Sequence, residues 1–236
     1  MIHIDIPGVW IIVPAFNEAQ VIGEVVAGLR ARFANVVCVD DGSRDDTGAV
    51  ALRAGAHVVR HPVNLGQGAA IQTGVEYARH QPGATVFATF DADGQHRIAD
   101  LVAMIDRLGD GDVDIVIGTR FGGSASHGVA GRTPPLKRLI LRAAAWLSPS
   151  SRRLGLTDAH NGLRVFNRTV ADNLTLTMSG MSHASEFVSL IDEHRWRVAE
   201  LPVQILYTDY SMSKGQPLLN GVNIVFDGFL RGRMRR

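Results

Sequence analysis

The sequence has a single cysteine in 236 residues, Cys38, so it can form no internal disulfide. A disulfide framework is excluded, and the composition suits a reducing compartment. Cys38 sits inside the apolar run NVVCVDDGS, which reads as a small core residue rather than a catalytic thiol. Neither sign of charge is in excess: 24 Lys and Arg stand against 23 Asp and Glu, a net charge of +1. That balance gives no case for bulk nucleic-acid binding. No window approaches the roughly 18 uninterrupted apolar residues of a membrane span. The apolar run VWIIVPAF is cut by Pro14 and lacks a basic segment before it, so no signal peptide is expected. Membrane contact, if made, is then peripheral. Internal repeats and low-complexity segments are also missing.

What the chain does have is a regular alternation of strand and helix signals. Short β-branched runs occur at 9–14, 35–40, 57–60, 85–91 and 114–120, and a later one at 198–206. Between them lie helical patterns. In 98–108, Ile98, Leu101, Val102, Ile105 and Leu108 share one face, and 18–33 repeats the pattern less cleanly with Val21, Ile22, Val25, Leu29 and Phe33. A further helix is expected at 183–195. Near-continuous apolar strands separated by helices imply an α/β fold with a mostly parallel sheet covered on both faces. The length and the 46% hydrophobic content suit one such domain. In a sheet of this kind ligands bind at the carboxyl ends of the strands. The polar residues collect there: PAFNE after the first strand, DDGSRDDT after the second, DADGQH after the fourth and GTRFGG after the fifth. Four strand ends carrying chemistry point to one crevice.

DADGQH is the most informative of them. Asp91 and Asp93 flank one residue and, on an extended strand, share a face. Two carboxylates so placed repel each other unless a cation lies between them. Hard oxygen ligands suit Mg²⁺ or Mn²⁺ rather than zinc, with Gln95 or His96 completing or orienting the shell. Asp40 with Asp41 is a second acidic pair at a strand end, suited to a ribose hydroxyl or a base edge. The Ser, Asp and Thr that follow it read as turn and helix-cap residues. NLGQGAA, with Gly68, has the Gly-x-Gly shape of a phosphate loop opening a helix. It lacks the third glycine of a dinucleotide fingerprint and the Gly-Lys-Ser/Thr of a P-loop, so close packing explains it as well as phosphate contact does. His57 and His61 read as structural or exposed residues.

After Gly122 the pattern changes. The Gly/Ser-rich segment 122–135 reads as a long functional loop. The segment 136–147, LKRLILRAAAWL, reads as a helix with an apolar face edged by Trp146. It is either an ordinary core helix or one lying on an anionic membrane surface. Four arginines in the last six residues would add attraction to an acidic leaflet, of about 1 kcal/mol each. An acidic partner protein would suit that tail equally well.

Together, VPAFNE, DDGSRDDT, NLGQGAA, DADGQH, GTRF and DAHNGLRVF resemble, in order and spacing, the family 2 glycosyltransferases of GT-A fold. The subgroup they look like is the polyprenyl-phosphate glycosyltransferases, which include dolichol-phosphate mannosyltransferase. The resemblance covers roughly residues 9–216. It implies one GT-A domain over 1–236, with a Rossmann-like nucleotide-sugar half at 1–121, an acceptor half at 122–216 and a basic C-terminal helix or tail at 217–236. It further implies that Pro14, Phe16 and Glu18 contact the nucleoside and that Asp41 holds the base or ribose. Asp91, Asp93 and Gln95 would bind Mg²⁺ or Mn²⁺ and, through it, the donor diphosphate. Arg120 and Arg132 would face phosphates of donor or lipid acceptor, with Gly68 and Arg164 also on the substrate side. SMSKG resembles the closing Ser-Lys element of the family, which makes Lys214 a phosphate contact. The arginine that usually precedes that element is absent, and YTDYS stands in its place.

The expected reaction is inverting transfer of a sugar from a nucleoside diphosphate to a polyprenyl phosphate, at the cytoplasmic face of a membrane, in cell-envelope polysaccharide or glycolipid synthesis. Asp93 is the first catalytic candidate. Asp158 and Glu186 are the candidate bases if the acceptor is instead a sugar hydroxyl, which would need one. A sugar-phosphate nucleotidyltransferase would need an arginine-rich glycine loop after the first strand, and PAFNEAQ does not provide it. A non-catalytic module recruited to membranes by its basic tail is the remaining alternative.

Overall fold

The structure, a computed structural model, describes residues 8–120, 149–158, 161–178 and 182–206. Within them seven strands form one sheet: β1 (Val9–Ala15), β2 (Asn35–Asp40), β3 (His57–Arg60), β4 (Val86–Thr89), β5 (Ile115–Thr119), β6 (Arg164–Asn167) and β7 (Val198–Pro202). The helices are α1 (Ile22–Arg30), α2 (Thr47–Arg53), α3 (Gln67–Arg79), α4 (Ile98–Gly109), α5 (Pro149–Leu154), α6 (Arg168–Asn173) and α7 (Ser182–His194).

The strand order is β3-β2-β1-β4-β6-β5-β7. All neighbours are parallel except β6, which runs antiparallel to both β4 and β5. The expected α/β architecture is therefore present, with an antiparallel strand set into the middle of the sheet. β1 shows why its strands read as continuous apolar runs. Val9, Ile11 and Val13 join the core cluster that includes Leu29, Leu101 and Met104, while Trp10 and Ile12 join the one that includes Ile71, Val75 and Phe187. Both faces are buried, so polar alternation has no place in it. α4 seats Leu101, Met104, Ile105 and Leu108 in the core, with Asp100 in its first turn and Arg107 in its last, the charge order that suits a helix dipole.

Two boundaries and one strand differ from the sequence reading. β4 ends at Thr89, so Asp91 and Asp93 lie in the turn beyond it and not on the strand. The expected strand 198–206 stops at Pro202, leaving only a bridge between His96 and Ile205. The sequence pattern does not mark β6, because it is four residues long, RVFN, and carries a buried arginine where a central strand calls for an apolar residue. The expected loop at 122–135, helix at 136–147, SMSKG element and basic tail lie outside the described residues, as do Arg132 and Lys214.

Candidate active site

The loops after β1, β2 and β4 meet at the carboxyl end of the sheet. The β1 loop is stitched to the β2 loop: the Asn17 amide donates to Ser43 Oγ at 2.9 Å, and the Glu18 amide donates to Thr47 Oγ1 at 2.8 Å. Arg44 N–H returns a bond to Asn17 Oδ1 at 2.9 Å. Asn17 takes a positive φ of 54°, which turns the chain out of β1. Pro14 is buried within the strand opposite Val39, whereas Phe16 is 42% exposed at the crevice mouth.

The second acidic pair is committed to holding loops. Asp41 is buried, and its carboxylate accepts from the amides of Leu65 (2.9 Å) and Gly66 (2.8 Å) and pairs with His61 Nδ1 at 2.7 Å. His61 Nε2 in turn lies 2.9 Å from Thr73 Oγ1 on α3. Asp41 thus ties β2 to the glycine loop. Asp40 accepts from the Ser43 amide at 2.9 Å and pairs with Arg60 at 3.4 Å. Gly68 answers the packing reading. A Cβ there would lie 2.2 Å from the Met178 carbonyl oxygen and 2.8 Å from His183 Cβ, so the glycine lets α3 approach Met178 and His183.

Asp91 and Asp93 sit at the centre. The Asp91 carboxylate accepts from Gln67 Nε2 at 3.1 Å and pairs with His96 Nε2 at 2.9 Å. Gly162 closes over it so tightly that a Cβ would lie 2.1 Å from Asp91 Oδ2. Burial by itself raises the Asp91 carboxyl. The His96 hydrogen bond and the electrostatic influence of His96, Arg164 and His183 outweigh it and leave the group below the ordinary carboxylate range. Asp93 goes the other way. Burial first, then the negative charge of Asp91, push it up to about 6, against the pull of the Gln95 amide that donates to Asp93 Oδ1 at 3.0 Å. Glu18 lies close enough to add to that push. The site therefore holds a carboxylate below the ordinary range beside one raised by burial and by its neighbour's charge, a raise that a bound cation would oppose. Oxygen donors from Asp91, Asp93 and Gln95 suit Mg²⁺ or Mn²⁺. Among the described residues no group of three or more acidic, His or Cys side chains suited to a metal is assembled.

The other expected residues fall around this pair. Arg120 and Asp158 form a two-pronged ion pair, with Nε–Oδ2 at 2.6 Å and Nη2–Oδ1 at 2.7 Å, reinforced by the Arg120 amide. The Asp158 carboxylate is buried in that pair and is poorly placed to take a proton from an acceptor. Glu186 accepts from the amides of Thr177 (3.0 Å) and Met178 (2.8 Å) and from Thr177 Oγ1 (2.6 Å), which makes it a clasp on that segment. Arg164 is 1% exposed on β6, beneath the crevice floor, so direct substrate contact does not fit it.

These motifs have a counterpart in known proteins: residues 10–175 match the family model described as glycosyl transferase family 2. The chain belongs to that family. It is a glycosyltransferase of GT-A fold, as the sequence resemblance implied. It is 27% identical to the UDP-N-acetylglucosamine–dolichyl-phosphate N-acetylglucosaminyltransferase of Methanococcus voltae, over 92% of this chain and 93% of that one. It is 26% identical to the polyprenol monophosphomannose synthase of Mycolicibacterium smegmatis, over 96% of this chain and 88% of that one. Among solved structures, the glucosyl-3-phosphoglycerate synthase of Mycobacterium tuberculosis, in complex with Mn²⁺ and UDP-glucose, superposes with a TM-score of 0.67 at 20% identity. That match covers 93% of this chain and 75% of the other, and it speaks to the shared fold.

For this family 2 glycosyltransferase the sequence reading missed several residues around Asp91. Gln67 and Gly162 are brought to it from α3 and the turn before β6, 24 and 71 positions away, and His183 comes from α7. Gln67 and Gly162 fall inside the motifs NLGQGAA and DAHNGLRVF, but nothing local in the sequence ties them, or His183, to Asp91. His96, expected to complete or orient the metal's ligand set, is bonded to Asp91 and edges against the Phe90 ring at 5.5 Å.

Proposed function

We propose that the chain transfers a sugar from a nucleoside-diphosphate sugar to a polyprenyl phosphate at a membrane surface, with inversion at the anomeric carbon and with Mg²⁺ or Mn²⁺ as cofactor. The observation that carries the reading is the carboxylate pair at the end of β4. Asp91 is fixed by Gln67 and His96, and Asp93 is pushed up to about 6 by burial and by Asp91. Such a pair calls for a divalent cation, and a bound ion would neutralise charge developing on the leaving diphosphate. Asp91, Asp93 and Gln95 would hold it. Phe16, exposed at the mouth, offers a surface for the nucleoside, with Glu18 beside the metal pair.

The acceptor class follows from what the remaining carboxylates are doing. Asp158 is bound to Arg120 and Glu186 to the 177–178 amides, so neither candidate base is poised to activate a hydroxyl. A polyprenyl phosphate needs no such base, because its second pKa near 6 leaves it anionic at neutral pH. The names of the two relatives, acting on dolichyl phosphate and forming polyprenol monophosphomannose, agree with that choice. Among the described residues no helix is long and apolar enough to cross a membrane. Contact with the lipid surface is assigned to the 136–147 segment and the arginine tail, and phosphate contact to Arg120, Arg132 and Lys214.

The test is Asp93→Asn, assayed for Mn²⁺ binding and for metal-dependent donor turnover with a polyprenyl-phosphate acceptor. Both should fall by at least a hundredfold. Wild-type metal-dependent activity in that variant would remove the reading. A thermal-shift panel of UDP-, GDP- and dTDP-sugars with Mn²⁺ identifies the donor base.

A further inference from the structure

Arg164 is the one fully buried cation at the floor of the crevice, among the described residues. Its guanidinium carbon lies 4.9 Å from the centroid of the Phe187 ring on α7, which closes one side. It is within electrostatic reach of both Asp91 and Asp158. Its Nε and Nη1 nevertheless have no hydrogen-bond partner among the described residues. A buried guanidinium with two unsatisfied nitrogens is a costly way to hold a strand in place. Apolar side chains of similar size often replace buried ions with no loss of stability. The neighbouring groups also do without it structurally: Asp158 has its own partner in Arg120, and Asp91 has Gln67 and His96.

We propose that Arg164 is a positioning residue for the donor diphosphate. It acts without touching it, as a desolvated positive charge behind Asp91 that makes the crevice floor favour an anion. The inference rests on the metal-site reading above. Through a low-dielectric floor a fixed charge acts more strongly than it would in water. Its two effects have opposite signs: it strengthens binding of a diphosphate and opposes binding of a bare cation. Asp91 partly offsets it, which lets a metal and the buried arginine coexist.

The opposite signs provide the test. Mn²⁺ alone, and UDP or GDP in saturating Mn²⁺, are titrated calorimetrically into the full chain as wild type, Arg164→Met and Arg164→Lys. The melting temperature of each is measured alongside. In Arg164→Met the nucleoside diphosphate should bind roughly tenfold more weakly, the scale of one unit charge acting across a protein interior. Mn²⁺ alone should bind as tightly as in wild type or more tightly. Arg164→Lys, which keeps the charge, should restore nucleotide binding to within about threefold of wild type. A structural residue would give a different pattern: both affinities and the melting temperature would fall together, without rescue by lysine, and the inference would be overturned. Unchanged nucleotide affinity in Arg164→Met would overturn it as well. Should that variant not fold, a well-folded Arg164→Lys that fails to bind nucleotide is the overturning result, and one that binds it supports the inference. If the wild type binds no Mn²⁺, the metal-site reading fails and the inference falls with it. If the wild type binds both and only the Arg164 contrast is missing, the metal site stands.

Discussion

Gly162 and Asp91 are neighbours only because β6 returns beside β4. A methyl group on Gly162 would lie 2.1 Å from Asp91 Oδ2, a carboxylate already held by His96. The Gly162→Ala variant should therefore displace Asp91 and lower Mn²⁺-assisted nucleotide affinity by tenfold or more. Its melting temperature should fall by only a few degrees, since the clash falls on a side chain that is 28% exposed. Calorimetric titration beside a thermal melt reads both, and wild-type affinity would show that the close approach is not what places Asp91. At this scale the sequence reveals the pair but not its surroundings. Asp91 and Asp93 stand one residue apart in the chain and point to a cation. Gln67, Gly162, Arg164 and His183 reach them from other elements, and the motifs that hold the first three do not say that they meet Asp91.

The right half of the sheet is held at one edge by a single carboxylate. Asp114, just before β5, accepts from Asn167 Nδ2 at the end of β6 (3.0 Å). It also accepts from the Arg197 amide (2.9 Å) and the Arg197 guanidinium (2.9 and 3.0 Å) just before β7. The Arg197 hydrogen bond is the main cause that lowers the Asp114 carboxyl to about 2, against a smaller opposing effect of burial. A depressed folded-state pKa gives stability that is present above the unfolded value near 3.9 and is lost as pH falls toward 2. Urea unfolding between pH 5 and pH 2 should show that loss in the wild type and a flatter acid limb in Asp114→Asn. At neutral pH the variant should be about 1 kcal/mol less stable. That is the low end for hydrogen bonds to a charged group, because the Arg197 side chain is 57% exposed. An equally steep acid limb in both proteins would assign it to other groups. Elements are legible where the apolar pattern is strong: the one-faced periodicity of α4 and the continuous apolar run of β1. β6 was not, because a four-residue strand with a buried arginine departs from the apolar pattern of a central strand.

For the molecule as a whole, the family 2 membership says that it transfers a sugar, and the proposed lipid acceptor requires it to meet a membrane. The candidate for that contact is the cluster Arg231, Arg233, Arg235 and Arg236, outside the described residues. Replacing all four by glutamine should weaken co-sedimentation with phosphatidylglycerol-rich vesicles by at least tenfold at low salt. Binding to neutral vesicles and turnover with a short, water-soluble polyprenyl phosphate should stay unchanged. Equal partition of both forms onto anionic vesicles would assign the membrane contact elsewhere.

The linear sequence determined the layering of the sheet, the end of it that carries chemistry, and the acidic pair at the end of β4. Apolar periodicity and residues close in sequence report those directly. Only the tertiary structure decided the work of each charged group. It turned Asp41 and Glu186 into loop clasps, paired Asp158 with Arg120, and sank Arg164 beneath Asp91. A carboxylate's chemistry is set by the donors and charges that reach it, and here those come from elements far away in the chain.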